Sequence, residues 1–390
     1  MNPPRVFLYV QHLLGIGHLK RAAALARRLA AEGMQVTLVS GGPAVPGMAL
    51  DGVRLVQLPP ASAADLGFKV LLDEAGREID AEWKLRRSAA LLAAWRAASS
   101  HSEPQVLVLE LFPFGRRQMR FELLPLLELA VAAPRRPAIV CSVRDILGGQ
   151  KSPQRQQETL DHIQRYFDGV LVHGDPSIVG FEQTFPLAPR IARKLHYTGY
   201  VVDEHAPHGN LSGKDEVIVS AGGGAVGAGL LESAIRAKPL TTLRDRNWRV
   251  LAGNNLPATV FQKLAALAIG AGGVELERSR PDFTTLLSNC ALSISQAGYN
   301  TLLETVQAGA RAVVVPFAGG HETEQILRAH RFAARGLLEV VEESALTPPA
   351  LAAAVDRAAR RPRPAPGAVD LDGARNSAAL IARWARERRA

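Results

Sequence analysis

Cysteine is nearly absent from this chain of 390 residues: only Cys141 and Cys290, far apart, are present. They can form neither a disulfide framework nor a thiolate metal cluster, and they suit a reducing compartment. Aromatic residues are also few, at 5%. No basic stripe alternates with them, which leaves nucleic acid out of the expected partners although the net charge is +9. No run of about eighteen uncharged apolar residues exists, so no spanning helix is expected. The apolar run Val6–Val10 is too short for the core of a signal peptide and reads as a buried strand. No repeat with a period of about 20–50 residues recurs, which argues against a solenoid.

What remains is a chain rich enough in hydrophobic residues, at 47%, to bury two ordinary cores or one large one. Short apolar runs alternate with helical periods. Val6–Val10, Val36–Ser40, Val53–Leu58, Val106–Leu109, Ala138–Ser142 and Gly169–His173 read as strands. Between the first two, His18–Ala31 places Leu19, Ala22, Leu25, Ala26 and Leu29 on one helix face, ended at Gly33. A polar stretch rich in Gly, Pro and Asn follows Tyr200, and the pattern restarts with strands at Val217–Ser220, Arg249–Ala252, Ala291–Ser295 and Ala312–Pro316. The alternation predicts α/β architecture with parallel sheets. The expected division is 1–203, a linker at 204–215, a second domain at 216–373 and a basic terminal helix at 374–390 packing back on the first domain. Residues 351–390 carry nine arginines against four acids.

Three segments point to chemistry. Gly15-Ile16-Gly17-His18 joins the first strand to its helix, where free N–H groups and the helix dipole favour an anion. Lys20 stands where a dinucleotide fingerprint needs a third glycine, and Ser40-Gly41-Gly42 where it needs an acid. A plain tight turn is the alternative. Ser220-Ala221-Gly222-Gly223-Gly224-Ala225 follows the first strand of the second domain; without a Gly-Lys-Ser/Thr sequence it is no ATP-binding P-loop. The most informative run is Ser295-Gln296-Ala297-Gly298-Tyr299-Asn300-Thr301-Leu302-Leu303-Glu304, continued by Gly319-Gly320-His321-Glu322-Thr323-Glu324-Gln325. Gly298 lets backbone N–H groups meet a phosphate, Asn300 or Thr301 is expected to cap the helix, and Glu304 can accept two hydrogen bonds from a ribose diol.

The segment SQAGYNTLLETVQAGARAVVVPFAGGHETEQ resembles the C-terminal donor-binding domain of glycosyltransferase family 28, whose best-known member adds N-acetylglucosamine to a lipid-linked peptidoglycan precursor. The resemblance covers residues 217–345 well, and the Gly-Ile-Gly-His loop also matches. Residues 60–200 match only in outline. It implies a GT-B fold, two Rossmann-like domains with parallel sheets facing across a cleft. It implies that Gly222, Gly223 and Gly224 face a diphosphate, that Arg280 and Pro281 contact the base through their backbone, and that Gly298, Tyr299, Asn300 and Thr301 close over the phosphates. Glu304 would hold the ribose, and His321, Glu324 and Gln325 the donor sugar. The run from His321 to Gln325 is more acidic than the family pattern.

The expected activity is metal-independent, inverting transfer of a hexose or N-acetylhexosamine from a nucleotide sugar, with uridine as the base, to an acceptor hydroxyl. No cofactor is implied. His18 is the expected base, because its ordinary pKa lies near neutrality. Gly15, Gly17, Glu110 and Asp145 are expected on the acceptor side. The acceptor would be a small molecule, a glycan or a lipid-linked hydroxyl. Two alternatives stay open: a nucleotide-sugar epimerase on the same fold, using His321, Glu322 and Glu324, and a non-catalytic donor-binding subunit. The expected location is cytoplasmic. Arg116, Arg117 and Arg120 before the apolar stretch Phe121–Ala133, with Arg135 and Arg136 after it, read as a core helix with solvated ends or as a peripheral contact with an anionic membrane at its inner face. Asp370-Leu371-Asp372 reads as a solvated loop or helix cap rather than a metal-binding motif.

Overall fold

A computed structural model describes residues 3–64, 70–99, 104–148, 152–203, 210–222, 227–254, 256–319 and 323–388. The chain divides into two compact units, residues 1–203 with 370–390, and residues 204–369.

The first unit is built on strands β1 (Arg5–Val10), β2 (Gln35–Ser40), β3 (Val53–Gln57), β6 (Val106–Glu110), β7 (Ala138–Arg144), β8 (Gly169–His173) and β9 (Leu195–Tyr197). They form one parallel sheet in the order β3-β2-β1-β6-β7-β8-β9. A two-stranded ribbon, β4 (Ser62–Ala63) and β5 (Leu71–Leu72), lies outside it. Central strands such as β6 are buried throughout, because helices cover both faces, whereas the edge strand β3 exposes Arg54 and Leu55. Helix α1 (Gly17–Ala31) buries Leu19, Ala22, Leu25, Ala26 and Leu29. Gly33, at φ +81°, takes the left-handed turn that ends it, its N–H donating to Ala30 O at 2.9 Å.

Helices α2 (Ala81–Ser99), α3 (Arg120–Val131) and α4 (Pro153–Tyr166) complete the covering layer. Of the two readings of the α3 sequence, the core helix fits the packing: Leu123, Leu126, Leu127 and Ala130 are fully buried, while Pro125 and Val131 stay exposed. Of the flanking cations, Arg117 and Arg120 pair with Glu158, and Arg136 with Asp168 at 2.9 Å.

The second unit carries a six-stranded parallel sheet in the order β12-β11-β10-β13-β14-β15. Its strands are β10 (Val217–Ser220), β11 (Trp248–Ala252), β12 (Val274–Arg278), β13 (Leu292–Gln296), β14 (Ala312–Val315) and β15 (Glu339–Val340). Helices α5 (Ala228–Ala237), α6 (Ala258–Ala271), α7 (Phe283–Asn289), α8 (Tyr299–Gln307), α9 (Glu324–Ala334) and α10 (Pro348–Arg360) connect and cover them. Trp248, Leu231, Ile235 and Leu351 lie in one continuous core.

The expected linker begins among undescribed residues, 204–209. Beyond them Asn289 donates to Asn210 O and Ser212 O, tying the segment to the second unit. The chain returns to the first unit at Asp370, four residues before the expected start at 374. The Tyr200 N–H donates to Asp370 O at 2.7 Å, and Val201 bridges Asp372. The Asp370 and Asp372 carboxylates are used locally, on the Asp372 N–H and on Arg375. Helix α11 (Gly373–Glu387) then lays Ala378, Ile381, Trp384 and Ala385 into the cluster formed by Val6, Leu8, Leu25 and Leu29. A fully buried aliphatic side chain of this kind contributes about 1.5–3 kcal/mol.

Candidate functional site

In an open parallel sheet, ligands meet the carboxyl ends of the strands where the strand order reverses. In the first unit that point lies between β1 and β6, which pair directly. The loop after β1 leads into α1, whose first residues are Gly17 and His18 and whose N-terminus has no side-chain cap. The end of β6 is Glu110. The topology therefore brings His18 and Glu110 together across 92 residues of sequence: His18 Nδ1 lies 3.0 Å from Glu110 Oε1. Nothing crowds Gly15, where an added Cβ would meet no atom within 4 Å.

Glu110 is buried, so it is a partner of His18 rather than an open acceptor contact as the sequence suggested. Arg21, one helical turn beyond His18, forms an ion pair with Glu110 Oε1. The other carboxylate oxygen accepts from Ser142 Oγ at 2.5 Å; Ser142 Oγ lies 2.8 Å from His173 Nε2, and His173 Nδ1 lies 2.9 Å from Thr198 Oγ1. Burial would raise the Glu110 pKa, but Arg21 and His18 outweigh it and hold the group ionised well below the usual carboxylate range. Burial pushes His18 down to about 3; the Glu110 hydrogen bond opposes this, and Arg116, Arg144 and Arg21 reinforce it. His18 is thus a neutral imidazole at neutral pH. The ionised Glu110 favours the tautomer with the proton on Nδ1, which also lies 3.1 Å from Arg21 Nη2, and Nε2 has no protein partner among the described residues. Asp145, also expected on the acceptor side, is fully buried; it accepts from Tyr200 OH at 2.8 Å and from the Ile146 N–H.

Sequence reasoning missed Arg21, Ser142, His173 and Arg116. The spacing of Arg21 from His18 on one helix was the available signal. Ser142 and His173 sit at or near the ends of β7 and β8, a position that only the strand order reveals.

The second unit has the same strand order, with the reversal between β10 and β13. Both glycine segments fall there. Gly222 has φ +72° and its N–H donates to Ser220 Oγ at 3.2 Å; Gly223 and Gly224 lie outside the described residues. Gly227 starts α5 at φ +107°, where a Cβ would come within 2.6 Å of the Ala221 Cβ. Gly298 is the N-cap of α8, and no side chain caps that helix. Asn300 and Thr301 are therefore first-turn residues rather than the cap, and their N–H groups have no hydrogen-bond partner among the described residues. Ser295 Oγ, at the end of β13, is buried without a hydrogen-bond partner. Glu304 lies half-buried within α8.

The remaining expected contacts are partly occupied. Arg280 makes a bidentate pair with Asp282, at 2.8 and 2.7 Å, which leaves its backbone rather than its side chain for a base. The Tyr299 ring is buried, with the Arg328 guanidinium 4.8 Å from its centroid. Glu324 is held by fully buried Arg328 at 2.9 Å. Gln325 Oε1 accepts the Phe317 N–H at 3.1 Å. His321 lies outside the described residues. Among the described residues no group of three His, Cys, Asp or Glu side chains is placed to hold a metal ion.

Residues 218–374 match the family described as the glycosyltransferase family 28 C-terminal domain, so the chain is family 28-like over its second unit. The UDP-N-acetylglucosamine–N-acetylmuramyl-(pentapeptide) pyrophosphoryl-undecaprenol N-acetylglucosamine transferase of Methylorubrum extorquens strain PA1 is 28% identical over 189 residues, 46% of this chain and 51% of its own. The chain thus spans about half the length of that relative. Among solved structures, MurG of Acinetobacter baumannii aligns over 97% of this chain and 100% of its own, at 17% identity and TM-score 0.60. Os79 of O. sativa, solved in complex with UDP, aligns over 97% and 100%, at 13% identity and TM-score 0.61. Two parallel-sheet units and these neighbours give the fold as GT-B.

Proposed function

We propose that this family 28-like chain of GT-B fold is a glycosyltransferase that moves a hexose or N-acetylhexosamine from a UDP-sugar to an acceptor hydroxyl. The observation that carries the proposal is His18. It is a neutral imidazole at a strand-order reversal, fixed through Nδ1 by an ionised carboxylate, with Nε2 left to take a proton. In the reaction the acceptor hydroxyl gives its proton to Nε2 while its oxygen attacks the anomeric carbon. The bond to the diphosphate oxygen breaks on the opposite face, which inverts the anomeric centre. Glu110 stabilises the imidazolium that forms.

The second unit supplies the donor site in this reading. The uncapped N-terminus of α8 and the glycine segment after β10 offer N–H groups and positive potential to the leaving diphosphate, so no metal ion is invoked. Glu304 holds the ribose, and Gln325 the sugar. Glu324 positions the start of α9 through Arg328. That ion pair also counts against the epimerase alternative, which needs Glu324 as a free acid. No described helix is long and apolar enough to cross a membrane. A cytoplasmic location is proposed, with the acceptor a small molecule, a glycan or a lipid-linked hydroxyl at the inner membrane face.

A thermal-shift panel of nucleoside diphosphates and nucleotide sugars tests the donor site. A ligand at a hundred times its dissociation constant stabilises by about 2.7 kcal/mol. UDP and one UDP-sugar are expected to raise the melting temperature, and Glu304→Ala to remove the effect. A folded sample that no nucleotide stabilises would overturn the reading.

A further inference from the structure

We propose that Arg116, with Arg144 beside it, makes the His18 site selective for an anionic acceptor, a hydroxyl compound that also carries a carboxylate or phosphate. The inference rests on the transferase reading and specifies its acceptor. Arg116 lies in the segment after β6 and holds φ +58°, a left-handed conformation that costs a non-glycine residue energy. Its Nε donates to Gln11 O at 2.7 Å, just beyond the end of β1. That bond fixes the guanidinium over the strand-order reversal where His18 stands. The Arg116 side chain makes no other hydrogen bond, and no ion pair, among the described residues. Its neighbours differ: Arg117 and Arg120 share Glu158, Arg21 holds Glu110 and Arg136 holds Asp168.

Arg116, Arg144 and Arg21 all disfavour a proton on His18, and the hydrogen bond to Glu110 opposes them. Burial already draws Arg116 down to about 10. A half-buried guanidinium whose charge Glu110 offsets only at a distance, with no direct ion pair, is costly, and its planar fork matches a carboxylate or phosphate in two parallel hydrogen bonds. An anion there would complete the ion pair and orient the acceptor. It would also relieve the electrostatic pressure that keeps His18 neutral, making Nε2 a stronger base when the substrate arrives.

Calorimetric titration of the whole chain tests this, with saturating UDP present so that a diphosphate site is already filled. The probes are 1-naphthyl phosphate, 1-naphthoate and neutral 1-naphthol. At least one acid is expected to bind ten times more tightly than 1-naphthol, and comparison of the two shows which anion is preferred. Arg116→Gln should remove the preference and Arg116→Lys should keep part of it, while Arg54→Gln on the exposed edge strand changes nothing. Arg116→Asn, which suits the left-handed backbone, replaces the glutamine variant if that one fails to fold. Bound acid should also raise the pKa of His18, read by NMR. Equal binding of acids and naphthol, or a preference that survives both Arg116 variants, overturns the inference. If UDP stabilises the chain but the acids show no preference, the transferase reading stands and this inference falls. If UDP has no effect but Arg116-dependent acid binding persists, the anion site stands and the transferase reading falls.

Discussion

In the proposed reaction His18 accepts a proton during turnover and yet carries none at rest, and its surroundings suit both demands. Glu110 awaits the imidazolium, while burial and three arginines withhold it in the free protein. His18→Ala is expected to lower kcat by about 10²–10⁴-fold, the usual size of general-base catalysis, with the UDP thermal shift intact. Steady-state rates beside melting curves separate the two effects. Protonation also sets the acid limit of stability. His18 and His173 are both lowered by burial to about 3, so between pH 6.5 and 3 the unfolded chain binds protons that the native chain refuses. Stability is therefore full above pH 6.5 and falls as pH drops below it, by up to about 1.4 kcal/mol per pH unit for each histidine. Urea unfolding at pH 7.5 and 5.5 should show the loss, and His173→Gln should show less of it. His18 was legible from its glycine loop and Glu110 from the end of an apolar run. Their contact was not, because a distance of 92 residues is closed only by strand order. Nor did the sequence show that Glu324 would be tied to Arg328, one turn along the same helix.

Among elements, the start of α8 is the most exacting. An added Cβ at Gly298 would meet no protein atom within 4 Å, and its φ of −60° suits any residue. The protein alone gives no reason for glycine there; an approaching ligand does. Gly298→Ala is expected to leave the melting temperature of the free chain within about 1 °C. It should weaken UDP binding at least tenfold, because the methyl group occupies the ligand's space. Equal UDP affinity in the two proteins would remove this helix end from the donor site. Apolar runs located most of the strands, since a parallel strand covered on both faces has no polar side to break the run. Those missed are the peripheral ones. The half-buried strand β12 mixes charge with apolar residues, β9 is only three residues long and β15 only two. The cap of α8 was misplaced by two or three residues because a glycine N-cap carries no side-chain signal.

At the scale of the molecule, the two units have separate cores, but only the second is continuous in sequence. Alternating patterns and the polar break after Tyr200 made the division readable. A return of the terminal helix was expected, but its start at Asp370 rather than 374 was not legible, because it depends on a backbone pairing with Tyr200 and Val201 rather than on composition. A chain truncated after Val369 should retain a folded second unit and lose the first, whose core would lack Ile381 and Trp384. Denaturation followed by tryptophan fluorescence should then show one transition where the whole chain shows two. Loss of a buried tryptophan side chain alone costs about 3–5 kcal/mol. The same arrangement fixes an order of events on the ribosome. Residues 204–369 are synthesised after β1 and α1, yet they can fold as soon as they emerge, while the earlier unit waits for α11. The part of the chain made first is finished last, and until then the face of the first sheet and α1 that receives α11 is an apolar surface for a chaperone to cover.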